Sequence, residues 1–196
     1  LGISENYSTV VGGGYKFDEI RLSRGTARYT PSIERYANTF VEKGDTGDAY
    51  TALQIQSNGA KSGTGYSDQL NRSGYNTSTA TVTGNPTWQT TGGDPLGGAN
   101  TALHFNGTTD YITYADSTDW DVVAADGGVT IEGWFKTNKR NVAQSLFNGE
   151  KIYSWNVMTS GINDRLDLSI GDGTAWITPD NTVTPNGSFL ANKWYH

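Results

Sequence analysis

The chain reads as an all-β protein, an antiparallel β-sandwich, on three observations. The first is composition: 25 Gly, 11 Tyr and 6 Trp stand in 196 residues of which only 17% are charged. Aromatic and β-branched residues suit pleated, half-buried strands, while Gly, Asn and Asp supply the positive-φ corners between them. The second is a period of two, clearest where Val129, Ile131 and Gly133 alternate with Thr130, Glu132 and Trp134. The third is the regular return of short apolar runs between turn residues, the spacing of a sandwich rather than of strands alternating with helices.

Taken in order, Phe17, Ile20 and Leu22 mark a first apolar strand with Asp18, Glu19 and Arg21 at its polar positions. Gly25 and Pro31 punctuate its exit. At most one short helix is expected, over 31–41, where Ile33, Tyr36, Ala37 and Phe40 recur at helical spacing and Pro31 suits a first turn. The polar, glycine-bearing EKGDTGD at 42–48 reads as a boundary. Ala52, Leu53 and Ile55 begin the next strand-rich region.

From 58 to 91 Gly, Ser, Thr and Asn dominate, which predicts surface loop with one short strand at 79–83. Leu103, Phe105, Tyr111 and Ile112 flank Asn106-Gly107, a hairpin-type signal. Residues 116–126 read as a loop anchored by Trp120, and further strands are expected at 142–147, 151–158, 165–170 and 175–178.

Four strings add a resemblance. FDEIRLSRGTARYT at 17–30 resembles the closing segment of LamG, or concanavalin A-like lectin-glucanase, domains. FNGTTDYI at 105–112, TIEGWF at 130–135 and KWYH at 193–196 resemble the first two-thirds of such domains. The resemblance implies a jelly-roll sandwich and an order of tail first, then head. It divides the chain into 1–32, the end of one LamG-like domain, a linker at 33–49, and 50–196, the first part of a second domain truncated at its C-terminus. A permuted single sandwich, with 1–30 supplying the last strands to the later segment, is the other arrangement compatible with these strings. Under the first arrangement the natural termini are expected outside this stretch, which begins at Leu1 with no charged-then-apolar signal segment.

Composition also excludes chemistry. With no cysteine there is no disulfide, thiol nucleophile or thiolate metal site. A net charge of −6 argues against nucleic acid as the main partner. No apolar run approaches the length of a membrane span.

The two histidines, His104 and His196, do not assemble with a serine and an aspartate into a triad, and His104 sits between Leu103 and Phe105 as a strand residue. Retaining glycosidases need two carboxyl groups about 5 Å apart. The laminarinase-like relatives place theirs on one strand as Glu-x-Asp-x-x-Glu, a spacing that Asp18-Glu19, Glu132 and Asp164 to Asp167 do not reproduce. No enzyme activity is therefore expected, and no cofactor. Calcium is a weaker expectation from Asp116, Asp119, Asp121 and Asp126, which crowd one loop, although Asp also populates turns for backbone reasons.

For glycan contact the candidates are Trp155, Trp176, Tyr66 and Tyr75. Trp134 and Trp194 match family positions that fill the core. The resemblance implies a non-enzymatic structural or binding module on a virion surface, such as a tail fibre or capsid decoration. Its partners would be further copies, neighbouring LamG-like domains or cell-surface glycans. The alternative is an extracellular bacterial adhesin or carbohydrate-binding module; a glucanase is disfavoured by the missing carboxylates.

Overall fold

A computed structural model describes residues 14–25, 51–55, 80–89, 102–114, 128–149, 155–172, 174–178 and 183–196. The helical spacing at 31–41, the linker at 33–49, Tyr66, Tyr75 and the four aspartates from Asp116 to Asp126 lie outside these residues. Among the described residues every regular element is a strand: β1 (Tyr15–Arg24), β2 (Thr51–Ile55), β3 (Ala80–Thr83), β4 (Thr87–Gln89), β5 (Ala102–Phe105) and β6 (Tyr111–Tyr114) come first. They are followed by β7 (Val129–Thr137), β8 (Gln144–Asn148), β9 (Trp155–Thr159), β10 (Leu166–Ile170) and β11 (Trp194–Tyr195). No helix among them is long and apolar enough to cross a membrane.

All pairings are antiparallel. The largest sheet runs β11-β7-β1-β5-β4, with β2 also on β1; a second runs β10-β9-β8, and β3 pairs with β6. β1 is interior to the large sheet. One edge of it pairs with β7 over most of its length, and the other is shared by β5 at Tyr15 to Phe17 and β2 at Ile20 to Ser23. Residues 17–24 of the first string thus run side by side with the TIEGWF string in one sheet.

The spacing of apolar residues on β1 explains its shape. Strict alternation from Phe17 would bury Glu19 and Arg21. Instead the β1–β7 register shifts between Asp18 and Arg21, so that Phe17 faces Phe135 while Arg21 faces Glu132 and Leu22 faces Ile131. This β-bulge returns Ile20 and Leu22 to the core side and turns Arg21 away from it.

Phe17, Ile20 and Leu22 join Trp88, Leu103, Phe105, Ile112, Tyr114, Phe135, Leu146, Trp155 and Phe189 in one buried cluster. Strands of all three sheets contribute, and the Phe17 ring meets Phe147 of β8 edge-on at 5.8 Å. One core between antiparallel sheets is consistent with a β-sandwich.

Two expectations are corrected. The polar stretch at 58–91 is not loop apart from β3: β4 lies within it, pairs with β5, and buries Trp88 against Leu103. A single large apolar residue between Thr87 and Gln89 is enough to seat a three-residue strand at the edge of the sheet.

Asn106-Gly107 also does not make a hairpin, since β5 pairs with β4 and β1 while β6 pairs with β3. The side chain of Asn106 accepts hydrogen bonds from the backbone N–H groups of Thr108, Thr109 and Asp110. Asp110 in turn accepts from the N–H groups of Asn106 and Asn85, each at 2.9 Å. These bonds hold a five-residue corner that carries the chain from one sheet to another. Gly84, at φ 78°, lets that carboxylate approach; a Cβ there would collide with Asp110 Oδ1.

Removing a core ring leaves a cavity that neighbouring strands cannot close. Phe17→Ala is expected to cost about 3–5 kcal/mol, read as a lower urea midpoint at unchanged slope. The Arg21–Glu132 ion pair, with side chains only 8% and 3% exposed, behaves differently. Arg21→Ala removes the cation paired with a buried carboxylate and is expected to cost about 3–5 kcal/mol, whereas Arg21→Met with Glu132→Leu should recover most of that loss. Equal destabilisation by the single and double changes would contradict this account.

Candidate functional site

Alternation on β7 and β11 divides their aromatic residues between two faces. Phe135 and Tyr195 are registered partners on the core side, where Phe189 packs on both at 5.5 and 5.6 Å. Trp134 and Trp194 therefore stand on the opposite face, half-buried. The expectation that these two tryptophans fill the core is overturned by the pleat, since the core positions in GWF and KWYH belong to the residue after each tryptophan.

This second face has a closed end and an open end. At the closed end lie the buried residues Ser23, Arg21 and Glu132, the last two ion-paired. His196 is exposed, but its ring lies 5.1 Å from that of Trp134. The loss of hydration there pushes its pKa below the ordinary 6.5; Glu132 raises it and Arg21 lowers it again. Trp134 Nε1 is buried with no acceptor among the described residues, a cost of about 1–3 kcal/mol.

At the open end, printed registers align one residue from each of five strands: Thr87 with His104, His104 with Lys16, Lys16 with Lys136, and Lys136 with Trp194. Thr87 is exposed and the other four are half-buried. Lys136 Nζ lies 5.9 Å from the centroid of the Trp194 ring. Partial burial, and then Lys136, lower the pKa of Lys16. Partial burial, and then Lys16, lower that of His104, while Asp110 opposes the shift.

The other candidate tryptophans go elsewhere. Trp155 is buried in the core cluster, opposite Ile170 on β10, where an incoming sugar cannot stack on it. Trp176 is half-buried and bridges Gly171 across a tight turn. In that turn Asp172 accepts hydrogen bonds from Thr174 and Ala175, and these draw its pKa down to about 2. Of the four glycan candidates only Trp176 is both described and partly open.

The three-stranded sheet carries polar rows of its own, Asn148–Asn156–Ser169 and Ser145–Met158–Asp167. Ser145 Oγ donates to Asn156 Oδ1 at 2.6 Å, whereas Asn148 Oδ1 is buried without a donor among the described residues. Both asparagines, Asp167 and Ser169 are buried, so these rows are internal rather than a surface for ligands.

Three carboxylates among the described residues are ion-paired. Glu132 pairs with Arg21, Asp164 with Arg140, and Asp167 with Arg165. No group of three or more metal-ligating side chains occurs among the described residues.

Comparison with known proteins finds no matching family model, no similar curated protein and no similar solved structure, so nothing there identifies a LamG family.

His104 and His196 give stability a pH dependence of known sign. Their pKa values are lowered in the folded state, so the unfolded chain binds more protons below 6.5. Stability is expected to be full above that pH and to fall as pH drops through 6.5 toward the folded-state values. His104→Gln should flatten part of the slope in thermal melts between about pH 7.5 and about 5.5, roughly one unit either side of the ordinary histidine value; an unchanged slope would show that His104 does not contribute.

Proposed function

We propose that this chain is a non-enzymatic structural and glycan-binding module of concanavalin A-like, LamG-type jelly-roll architecture. Its binding surface is the open end of the large sheet's second face. The observation that carries this reading is the placement of Trp194 on the side of the sheet away from the core, half-buried and beside Lys136. Indole faces stack on the C–H faces of sugars, and flanking polar groups orient the hydroxyls. The non-enzymatic part rests on the pairing of Glu132, Asp164 and Asp167 with arginines, which leaves none of them poised as the acid or nucleophile of a glycosidase.

The pairing of β1 with β5 and β7 supports a permuted sandwich in which 1–30 supplies strands to the later segment. A rigid sandwich repeated along a virion surface, as in a tail fibre or capsid decoration, would supply valency, and weak sugar sites become effective when many copies act together. Calcium at Asp116, Asp119, Asp121 and Asp126 belongs to the same proposal as an accessory.

A glycan array probed with the protein, with and without calcium, tests the reading. Reproducible binding weakened about tenfold or more by Trp194→Ala is the expected outcome, a loss matching one stacked aromatic contact. Loss with Trp176→Ala alone would move the site to the 171–176 turn. No binding by folded protein would leave a scaffold whose role is assembly.

A further inference from the structure

Among the described residues asparagine precedes glycine three times, at Asn106-Gly107, Asn148-Gly149 and Asn186-Gly187. In that dipeptide the backbone nitrogen of the glycine can attack the side-chain amide of the asparagine, since no Cβ hinders its approach. The dipeptide is the same at each place, and the fold makes the three unlike.

At Asn106 the amide is locked. Its Oδ1 accepts from the N–H groups of Thr108, Thr109 and Asp110, and its Nδ2 donates to Thr109 Oγ1 at 2.8 Å and Asp110 Oδ1 at 3.0 Å. Turning that amide toward Gly107 would break the corner between two sheets. Asn148 is buried in β8, and the Gly149 N–H donates to the Trp155 carbonyl at 2.9 Å. Neither site can close a ring without local unfolding.

Asn186 stands exposed in the turn at 185–188, which Ser188 Oγ fastens by donating to the Pro185 carbonyl at 2.6 Å. Gly187 has φ 76°, and a Cβ there would meet nothing within 4 Å, so space is open around it. One backbone bond, from the Gly187 N–H to the Asn163 carbonyl at 2.8 Å, must open for attack. Set against that cost is Arg165, whose Nη1 donates to Asn186 Oδ1 at 3.4 Å and whose Nε is oriented by Asp167 at 2.8 Å. Oδ1 is the atom that gains negative charge when Cγ is attacked, and a fixed guanidinium beside it stabilises that charge.

We infer that Asn186-Gly187 is a self-modifying site, where Arg165 promotes succinimide formation and loss of the side-chain amide. The Gly187 nitrogen bonds to Cγ of Asn186 and gives up its proton, the Cγ–Nδ2 bond breaks, and the amide leaves as ammonia carrying that proton. Water then opens the ring. Cleavage at Cγ leaves an aspartate at position 186, and cleavage at the backbone carbonyl leaves an isoaspartate. No oxidant, metal or second protein is required. The new carboxylate forms beside Arg165, which then lies between it and Asp167, so the product gains an ion pair that the asparagine lacks. This chemistry does not depend on the glycan-binding reading.

The test is incubation of the whole folded protein at mildly alkaline pH, with peptide mapping that separates asparagine, aspartate and isoaspartate at each position. Asn186 should convert to both products while Asn106 and Asn148 stay intact, and conversion should speed up with pH because the attacking nitrogen must lose its proton. Arg165→Gln should slow conversion at Asn186 about threefold or more, the worth of one exposed charge contact, and Arg165→Lys should recover part of the rate. Melting temperatures of the variants are read alongside, since loosening the turn would act in the opposite direction.

If Asn106 or Asn148 converts as fast as Asn186, the ranking by side-chain bonding is overturned. If Arg165→Gln leaves the rate at Asn186 unchanged, or raises it together with a lower melting temperature, Arg165 is a brace for the turn and not a promoter. If Asn186 remains intact in the folded protein but converts in the denatured chain, the Gly187–Asn163 bond protects the site and the inference falls.

Discussion

β1 is the strand on which the large sheet depends. It is hydrogen-bonded along both edges, to β7 on one side and to β5 and β2 on the other, so its removal would leave three strands with unpaired backbone groups. Its core residues reach the second sheet through Phe17 and Phe147, and its outward residue Arg21 forms an ion pair with the buried Glu132. Backbone pairing, core packing and charge neutralisation therefore converge on ten residues. The bulge makes that convergence sterically workable, because without its one-residue shift Arg21 would enter the core and Ile20 would leave it.

The second face follows from the same pleat. Each tryptophan on β7 and β11 precedes an aromatic residue that is locked into the core, so the core contacts of Phe135, Phe189 and Tyr195 fix where Trp134 and Trp194 stand. The C-terminal segment is tied down locally as well: Asn192 N–H donates to Thr137 at 2.7 Å, and Leu190 N–H donates to the Tyr195 hydroxyl at 2.7 Å. A surface held in register by a packed core needs little reorganisation to bind.

Much of the architecture was legible because it rests on local signals. The interval from Phe17 to Ile20 to Leu22 breaks strict alternation and so already contains the bulge, and burial along the strand at 166–170 alternates with a period of two. What was not legible depended on non-local partners. Trp88 sits among Thr, Asn, Gly and Pro with no periodic neighbours, and only the cover of β5 makes a strand of it. Asn106-Gly107 carries a hairpin's residues, but Asp110 and Asn85 capture the corner for a different turn. The alignment of Lys16, His104 and Lys136 was not legible because Lys136 and His104 are more than thirty positions apart and Lys16 more than eighty from either; register alone brings them together. Trp134 and Trp194 were assigned to the core by resemblance, one residue out of phase with the pleat.

The Arg21–Glu132 contact joins residues 111 positions apart. During synthesis β1 leaves the ribosome long before β7 exists, and at about 5–20 residues per second the wait is on the order of ten seconds. Until then a strand destined for the middle of a sheet keeps the edge that β7 will cover bare, the condition under which strands find foreign partners. The charged pattern DEIR through its centre then has a second consequence: before it pairs, it keeps Phe17, Ile20 and Leu22 from presenting an uninterrupted apolar ribbon. The same residues that demand a bulge in the finished sheet act as gatekeepers while it is still being made.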